Sequence, residues 1–170
     1  INVDWGIVTA DYFKTMRIPI KQGRTFTTTE VTQGTPVVLV DEQLANKFWP
    51  DGDALGKHIK YDGPLPHEII GLVGDVGNYG SETLGRIKIY TPYGRALLTR
   101  STLAVRTAGN PLALAAAVER AIHEVDKDLP VSQVRTMDQL LGNALAQRRL
   151  TLTLLASFAV LEQVQHAATT

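Results

Sequence analysis

The chain has no cysteine, which excludes a disulfide framework, a thiolate nucleophile and cysteine-ligated metal, and fits an oxidising compartment as well as a reducing one. It has no charge excess either. Seventeen Lys and Arg residues balance seventeen Asp and Glu, so the electrostatic footprint that phosphate-backbone binding requires is missing and nucleic acid is not expected as a partner. No apolar run reaches the roughly 20 residues of a membrane span, since the longest, Leu150 to Leu161, has about a dozen. No fixed-period repeat or low-complexity tract is visible, which excludes solenoids and long linkers. There is no G-x-S-x-G elbow, and the histidines fall in no recognisable catalytic pattern. The chain opens at Ile1 rather than methionine and has no basic segment followed by an apolar one, so it reads as a piece of a longer protein.

What is present supports a folded core, with 44% hydrophobic residues in a chain of 170, enough for one domain or two small lobes. The stretch from Ser101 to Thr136 reads as strand, helix, strand. Leu103-Ala104-Val105 is a short apolar run, and Asn110-Pro111 supplies an N-cap and a ring suited to a first helical turn. Leu114, Val118, Ile122, Val125 and Leu129 then form one stripe at helical period. Pro130 stops the helix and Val131-Ser132-Gln133-Val134 alternates, which predicts a right-handed βαβ crossover with Val118 and Ile122 buried against two parallel strands. Such a unit hosts unrelated activities, so it argues architecture alone.

Elsewhere, Val3, Trp5 and Ile7 alternate as a strand with one buried face. A short helix follows, with Thr9 and Asp11 placed to cap it and Tyr12, Phe13 and Met16 facing inward until Pro19. Gly23 to Phe26 reads as a turn into an extended segment, and the Thr-rich stretch from Thr27 to Thr35 as a loop. Val37 to Val40 suits a strand buried on both faces, and Asp41 an N-cap before Leu44, Ala45, Phe48 and Trp49, closed by Pro50. From Gly56 the pattern becomes strands: Ile59 with Tyr61, a turn at Asp62-Gly63-Pro64, the run Ile69 to Val76, then Ile87 and Ile89. Thr136-Met137-Asp138-Gln139 fits a capping box that opens a last helix running on into Leu150 to Leu161.

Four groups invite a functional reading. Gly71, Gly74, Gly77 and Gly80 follow a strand at every third residue, but no helix follows, so bends and close backbone approach are the better account than a phosphate loop. His58 and His67 flank a hairpin near Asp62 and Glu68, where a metal could be clamped, but the spacing matches no metal-ligand pattern and surface histidines are the better reading. Glu124, Asp126 and Asp128 lack the glycine and closing glutamate of a calcium loop and read as a solvated helix end. Arg148-Arg149 before the apolar run reads as a membrane boundary.

Several stretches in order carry a family likeness. They are Val8-Thr9-Ala10-Asp11-Tyr12-Phe13 through Gly23-Arg24-Thr25-Phe26, Pro36-Val37-Val38-Leu39-Val40-Asp41-Glu42, Phe48-Trp49-Pro50 and Gly56-Lys57. Ile70-Gly71-Leu72-Val73-Gly74-Asp75-Val76, Ile89-Tyr90-Thr91-Pro92-Tyr93, Val105 to Pro111, and Leu129-Pro130-Val131 leading to Arg135-Thr136-Met137-Asp138 continue it. Together they resemble the extracytoplasmic core domain of MacB/FtsX-type ABC transporter permeases, in particular the orphan branch with duplicated permease halves.

That resemblance implies an α+β (α/β) domain between the first and second membrane helices. Its porter-like βαβ lobe would take residues 1–22 and 98–161, with an N-terminal portion of the lobe not found before Ile1. Residues 23–97 would form an inserted, smaller β-rich lobe with one helix. Residues 162–170 are a tail that departs from the family at Glu162-Gln163-Val164-Gln165. The implied function is non-catalytic: handling substrate or a partner protein outside the membrane and coupling to the transport cycle. The parent would be an inner-membrane efflux protein with this domain on the periplasmic side. The implied partners are the permease's membrane helices, an extracytoplasmic adaptor protein and a second copy. No catalytic, cofactor-binding or metal residue and no cofactor is expected. The rival reading is a soluble small-ligand-binding or sensing module, using the cleft that βαβ units beside a β-lobe often leave.

Overall fold

A computed structural model of the chain describes residues 3–61, 63–74, 87–95, 100–140 and 142. The elements run β1 (Val3–Val8), α1 (Tyr12–Met16), β2 (Ile20–Gly23), α2 (Thr28–Gln33), β3 (Val37–Asp41), α3 (Glu42–Phe48), β4 (His58–Ile59), β5 (His67–Val73), β6 (Ile87–Pro92) and α4 (Ala115–Val125). Short 3-10 turns occupy Tyr93–Arg95 and Pro111–Leu114. The described residues fall into two compact units that part between Arg106 and Thr107.

A strand reading Val-Val-Leu-Val offers no polar face, so it must be covered on both sides, and β3 is. The sheet has the order β1-β6-β3-β5-β2, with β4 also on β5. β1 with β6 and β3 with β5 are parallel, whereas β3 with β6, β2 with β5 and β4 with β5 are antiparallel. This mixed sheet with helices makes the chain α+β, as expected. One face buries Val8, Val37, Leu39, Ile70, Val73 and Tyr90 with Phe13, Ile18 and Phe26, and Tyr12, Met16 and Val31 pack on them. The other buries Val38, Val40, Ile69, Leu72, Ile87 and Ile89 beneath Leu44 and Ala45 of α3, with Trp49, Ile59 and Tyr61 alongside.

Asp41 ties these layers together. It is buried, and its Oδ1 accepts the Leu44 N–H at 2.8 Å while Oδ2 accepts the Lys88 N–H at 2.8 Å. The expected N-cap of α3 is therefore also a pin between α3 and β6.

Several expectations meet a different structure. The stretch from Thr27 to Thr35 is not a loop: Thr27 and Glu30 form a reciprocal capping box and Gly34 closes α2 in the left-handed region. Asp11 precedes α1 in a helical conformation and makes no side-chain cap bond; Tyr12 N–H is instead taken by the Thr9 carbonyl. Phe48, in the apolar series after the Asp41 N-cap, is about half exposed. The sheet also draws strands from both sides of the boundary expected at 22/23, because β1 finds its hydrogen-bond partners on β6.

The largest difference concerns Ser101 to Thr136. Asn110 does cap the helix start, its Oδ1 accepting the Leu112 N–H at 3.1 Å, but the helix ends at Val125, short of Pro130. Neither 103–105 nor 131–134 forms a strand. Gln133 adopts φ 58, which turns the backbone out of the extended region, and two short segments alone would make only a marginal ladder. Val118 and Ile122 are accordingly half-buried, while Val125 is 91% exposed. Thr136 and Gln139 do form the expected capping box, with Thr136 N–H on Gln139 Oε1 at 2.9 Å and Gln139 N–H on Thr136 Oγ1 at 3.2 Å. The expected continuation through Arg148-Arg149 and Leu150 to Leu161 lies outside the described residues. Among the described residues no helix is long and apolar enough to cross a membrane.

Candidate interaction surface

The glycines of the 71–80 series behave as structural residues where they are described. A Cβ on Gly71 would collide with the carbonyl oxygen of Arg24, just after β2, and one on Gly74 would lie 2.8 Å from Cγ of Pro19, just before it, so both permit close approach of the chain flanking β2 to β5. Gly77 and Gly80 lie outside the described residues.

β4 and β5 form the hairpin expected around His58 and His67, with Ile59 opposite His67 and His58 opposite Glu68. Neighbouring residues of a strand point to opposite faces, so the two histidines do not face each other. His58 is at the surface as expected, whereas His67 is not: it is buried with its ring 4.6 Å from that of Tyr61. Asp62 is not among the described residues. Glu124, Asp126 and Asp128 are exposed at the end of α4, where Asp126 Oδ1 accepts the Asp128 N–H at 3.0 Å. Among the described residues no group of three or more His, Asp or Glu is placed to hold a metal.

The arrangement that draws attention is on β1, at one end of the sheet order. Sequence alternation assigned Val3, Trp5 and Ile7 to a buried face, yet Trp5 is 48% exposed and Val3 is exposed beside it. Trp5 is nonetheless held in place. Its Nε1–H donates to Thr91 Oγ1 at 3.0 Å, and its ring meets that of Tyr61 edge to face, with centroids 4.4 Å apart at 88°. Tyr61 in turn lies on the His67 ring and packs on the core beneath α3. An indole fixed at its polar end, backed by a second ring and half open to solvent, has lost its rotamer entropy before any partner arrives; this is the character of an interface anchor. It offers binding area and no group for bond chemistry.

Sequence reading missed this because alternation identifies a shared face and not how far the layer above it extends. α3 spans only Glu42–Phe48 and packs on β3, β5 and β6.

Charge is organised on the opposite face. Arg24 grips Glu30 with two hydrogen bonds of 2.8 and 2.7 Å, and this pairing, aided by Thr27, holds the Glu30 carboxyl down at about 2. Burial pushes the Tyr12 hydroxyl up.

Residues 2–125 match the family described as MacB-like periplasmic core domain. Over 62 residues the chain is 34% identical to the uncharacterized ABC transporter permease YvrN of Bacillus subtilis (strain 168), covering 36% of this chain and 15% of that protein. Over 88 residues it is 31% identical to the macrolide export ATP-binding/permease protein MacB of Aggregatibacter actinomycetemcomitans, covering 51% of this chain and 13% of that protein. The matches thus span about one seventh of either relative's length. In fold the chain resembles the crystal structure of the periplasmic region of MacB from Actinobacillus actinomycetemcomitans, with a TM-score of 0.52 and 22% identity over 69% of this chain and 54% of that one.

Proposed function

This chain belongs to the MacB-like periplasmic core domain family, the periplasmic part of ABC transporter permeases, and from that premise we propose that it meets substrate or a partner protein outside the membrane and couples that contact to the transport cycle. In this reading the parent is an efflux permease of the inner membrane, and the domain performs no chemical step of its own. ATP hydrolysis takes place elsewhere in the transporter. An extracytoplasmic adaptor and the permease's membrane helices are the partners it implies.

The observation that carries the reading within this chain is Trp5, a rigid aromatic half open to solvent at one end of the sheet order. Apolar and amphipathic surfaces, those of macrolides included, would be recognised there by stacking and desolvation.

The test uses the parent permease. Trp5→Ala should lower export of amphipathic probes several-fold while substrate-free ATP hydrolysis stays constant, and the isolated domain should keep its circular dichroism. Undiminished export with a folded variant would remove Trp5 from the reading. Undiminished export after excision of the whole domain would remove the reading itself.

A further inference from the structure

Residues 12–29 hold four cations, Lys14, Arg17, Lys21 and Arg24, and no acidic residue, in a chain whose charges balance as a whole. Arg24 is taken up by Glu30, and Lys21 lies 3.9 Å from Glu42. The other two stand at the end of α1 on either side of Thr15. A third cation reaches the same point from 91 positions away, since Arg106 Nε donates to the Thr15 carbonyl oxygen. Lys14, Arg17 and Arg106 are all exposed, and among the described residues none of them makes an ion pair.

The negative end of a helix dipole accounts for a cation near this terminus. It does not account for Arg17. That residue ends α1 at φ 56, a conformation in which glycine is the least strained choice, and its N–H closes on the Lys14 carbonyl. An arginine kept there gives up stability that glycine would supply, and such backbone outliers collect at functional positions.

We propose that the end of α1, with Lys14, Arg17 and Arg106, is a docking patch for a carboxylate-rich segment of a protein partner. The planar guanidinium forks suit carboxylates, and two exposed cations at the end of α1 with a third that reaches its Thr15 carbonyl match a short acidic segment. A lipid surface fits less well. Adsorption to anionic lipid takes about four to eight clustered cations and acts chiefly at the cytoplasmic leaflet, whereas this family's domain is periplasmic. The inference stands on charge and backbone geometry and is independent of the role given to Trp5.

The experiment titrates the 170-residue chain with a dye-labelled peptide of alternating glutamate and serine at low ionic strength, with its glutamine counterpart as the neutral control. Binding should be seen with the acidic peptide alone and should weaken as salt is added. The triple variant Lys14→Gln, Arg17→Gln, Arg106→Gln should bind about tenfold or more weakly, at a few-fold per exposed charge pair. A control with the same loss of charge elsewhere, Lys47→Gln, Lys60→Gln, Lys127→Gln, should bind like the wild type. Arg17→Gly should weaken binding about threefold while raising the melting temperature, because it removes the left-handed strain. That opposite movement of binding and stability is not expected of a residue kept for the fold. Absence of binding by the wild type, equal loss in both triple variants, or a fall in melting temperature for Arg17→Gly would each overturn the proposal. So would binding to vesicles of phosphatidylglycerol and phosphatidylethanolamine in the absence of binding to the peptide.

Discussion

Strand β3 and helix α4 carry equally clear apolar patterns and end in different surroundings. Val38, Leu39 and Val40 are fully buried between two helical layers, while the stripe on α4 leaves Val118 and Ile122 half-buried and Leu114 and Leu129 exposed. The patterns differ in what they demand. A strand apolar on both faces can exist only inside a sheet that is covered twice, so its neighbours are implied by its own composition. An amphipathic helix asks for one cover, and any apolar surface can provide it. Periodicity therefore located the centre of the first unit but gave α4 only a direction.

Truncation in the two regions should make that contrast measurable. Leu39→Ala removes a side chain with no exposed surface from the middle of the sheet and should cost about 2–5 kcal/mol in chemical denaturation. Asp41→Ala should come next, at about 2 kcal/mol, since it strips the acceptor from both the Leu44 and Lys88 N–H groups. Asp41→Asn retains one acceptor oxygen and should cost less. Ile122→Ala, on the half-buried stripe, should cost about 1 kcal/mol or less. A loss there as large as that of Leu39→Ala would show that α4 has a full cover after all and would erase the contrast.

The fold could be read from the sequence wherever a residue's demand was local or self-evident. Asp41, Asn110 and Thr136 each announced a helix start, and each makes the expected bond. The hairpin around His58 and His67 and the strands near Ile69 and Ile87 stood out for the same reason. What could not be read needed information from far along the chain. The parallel pairing of β1 with β6 brings together residues more than 80 positions apart, through Trp5 and Thr91, and no local pattern encodes it. The patch at Thr15 depends likewise on Arg106. Some departures from the expected structure are local, however. Thr27-Thr28-Thr29-Glu30 followed by Gly34 spells a capped helix, and its threonine content drew attention to loop propensity instead. At Gln133 one positive φ undid a strand that alternation alone had favoured.

The smallest effect concerns α2, whose six residues could not hold a helix without help at the ends. Glu30 provides that help three times: it accepts both Arg24 hydrogen bonds, takes the Thr27 N–H at 2.8 Å, and receives the Thr27 hydroxyl at 2.9 Å. These contacts lower its carboxyl from the ordinary 4.5 to about 2, with Arg24 the largest cause and partial burial working against it. A carboxyl depressed in the folded state stabilises that state wherever the unfolded chain is also ionised, above the ordinary value. The contribution is lost as pH falls from 4.5 toward 2, where the folded carboxyl takes up its proton. Because Arg24 is half open to solvent, screening keeps the net contribution at about 0.5–1 kcal/mol. Glu30→Gln should therefore lower stability by about that amount at neutral pH, and the difference from wild type should close as the pH is taken down toward 2. Urea midpoints measured for both proteins across this range separate the effect from the titration of other carboxylates, which both share. A difference that stays constant with pH would show that Glu30 acts on α2 through its cap geometry alone and that its charge contributes nothing to the fold.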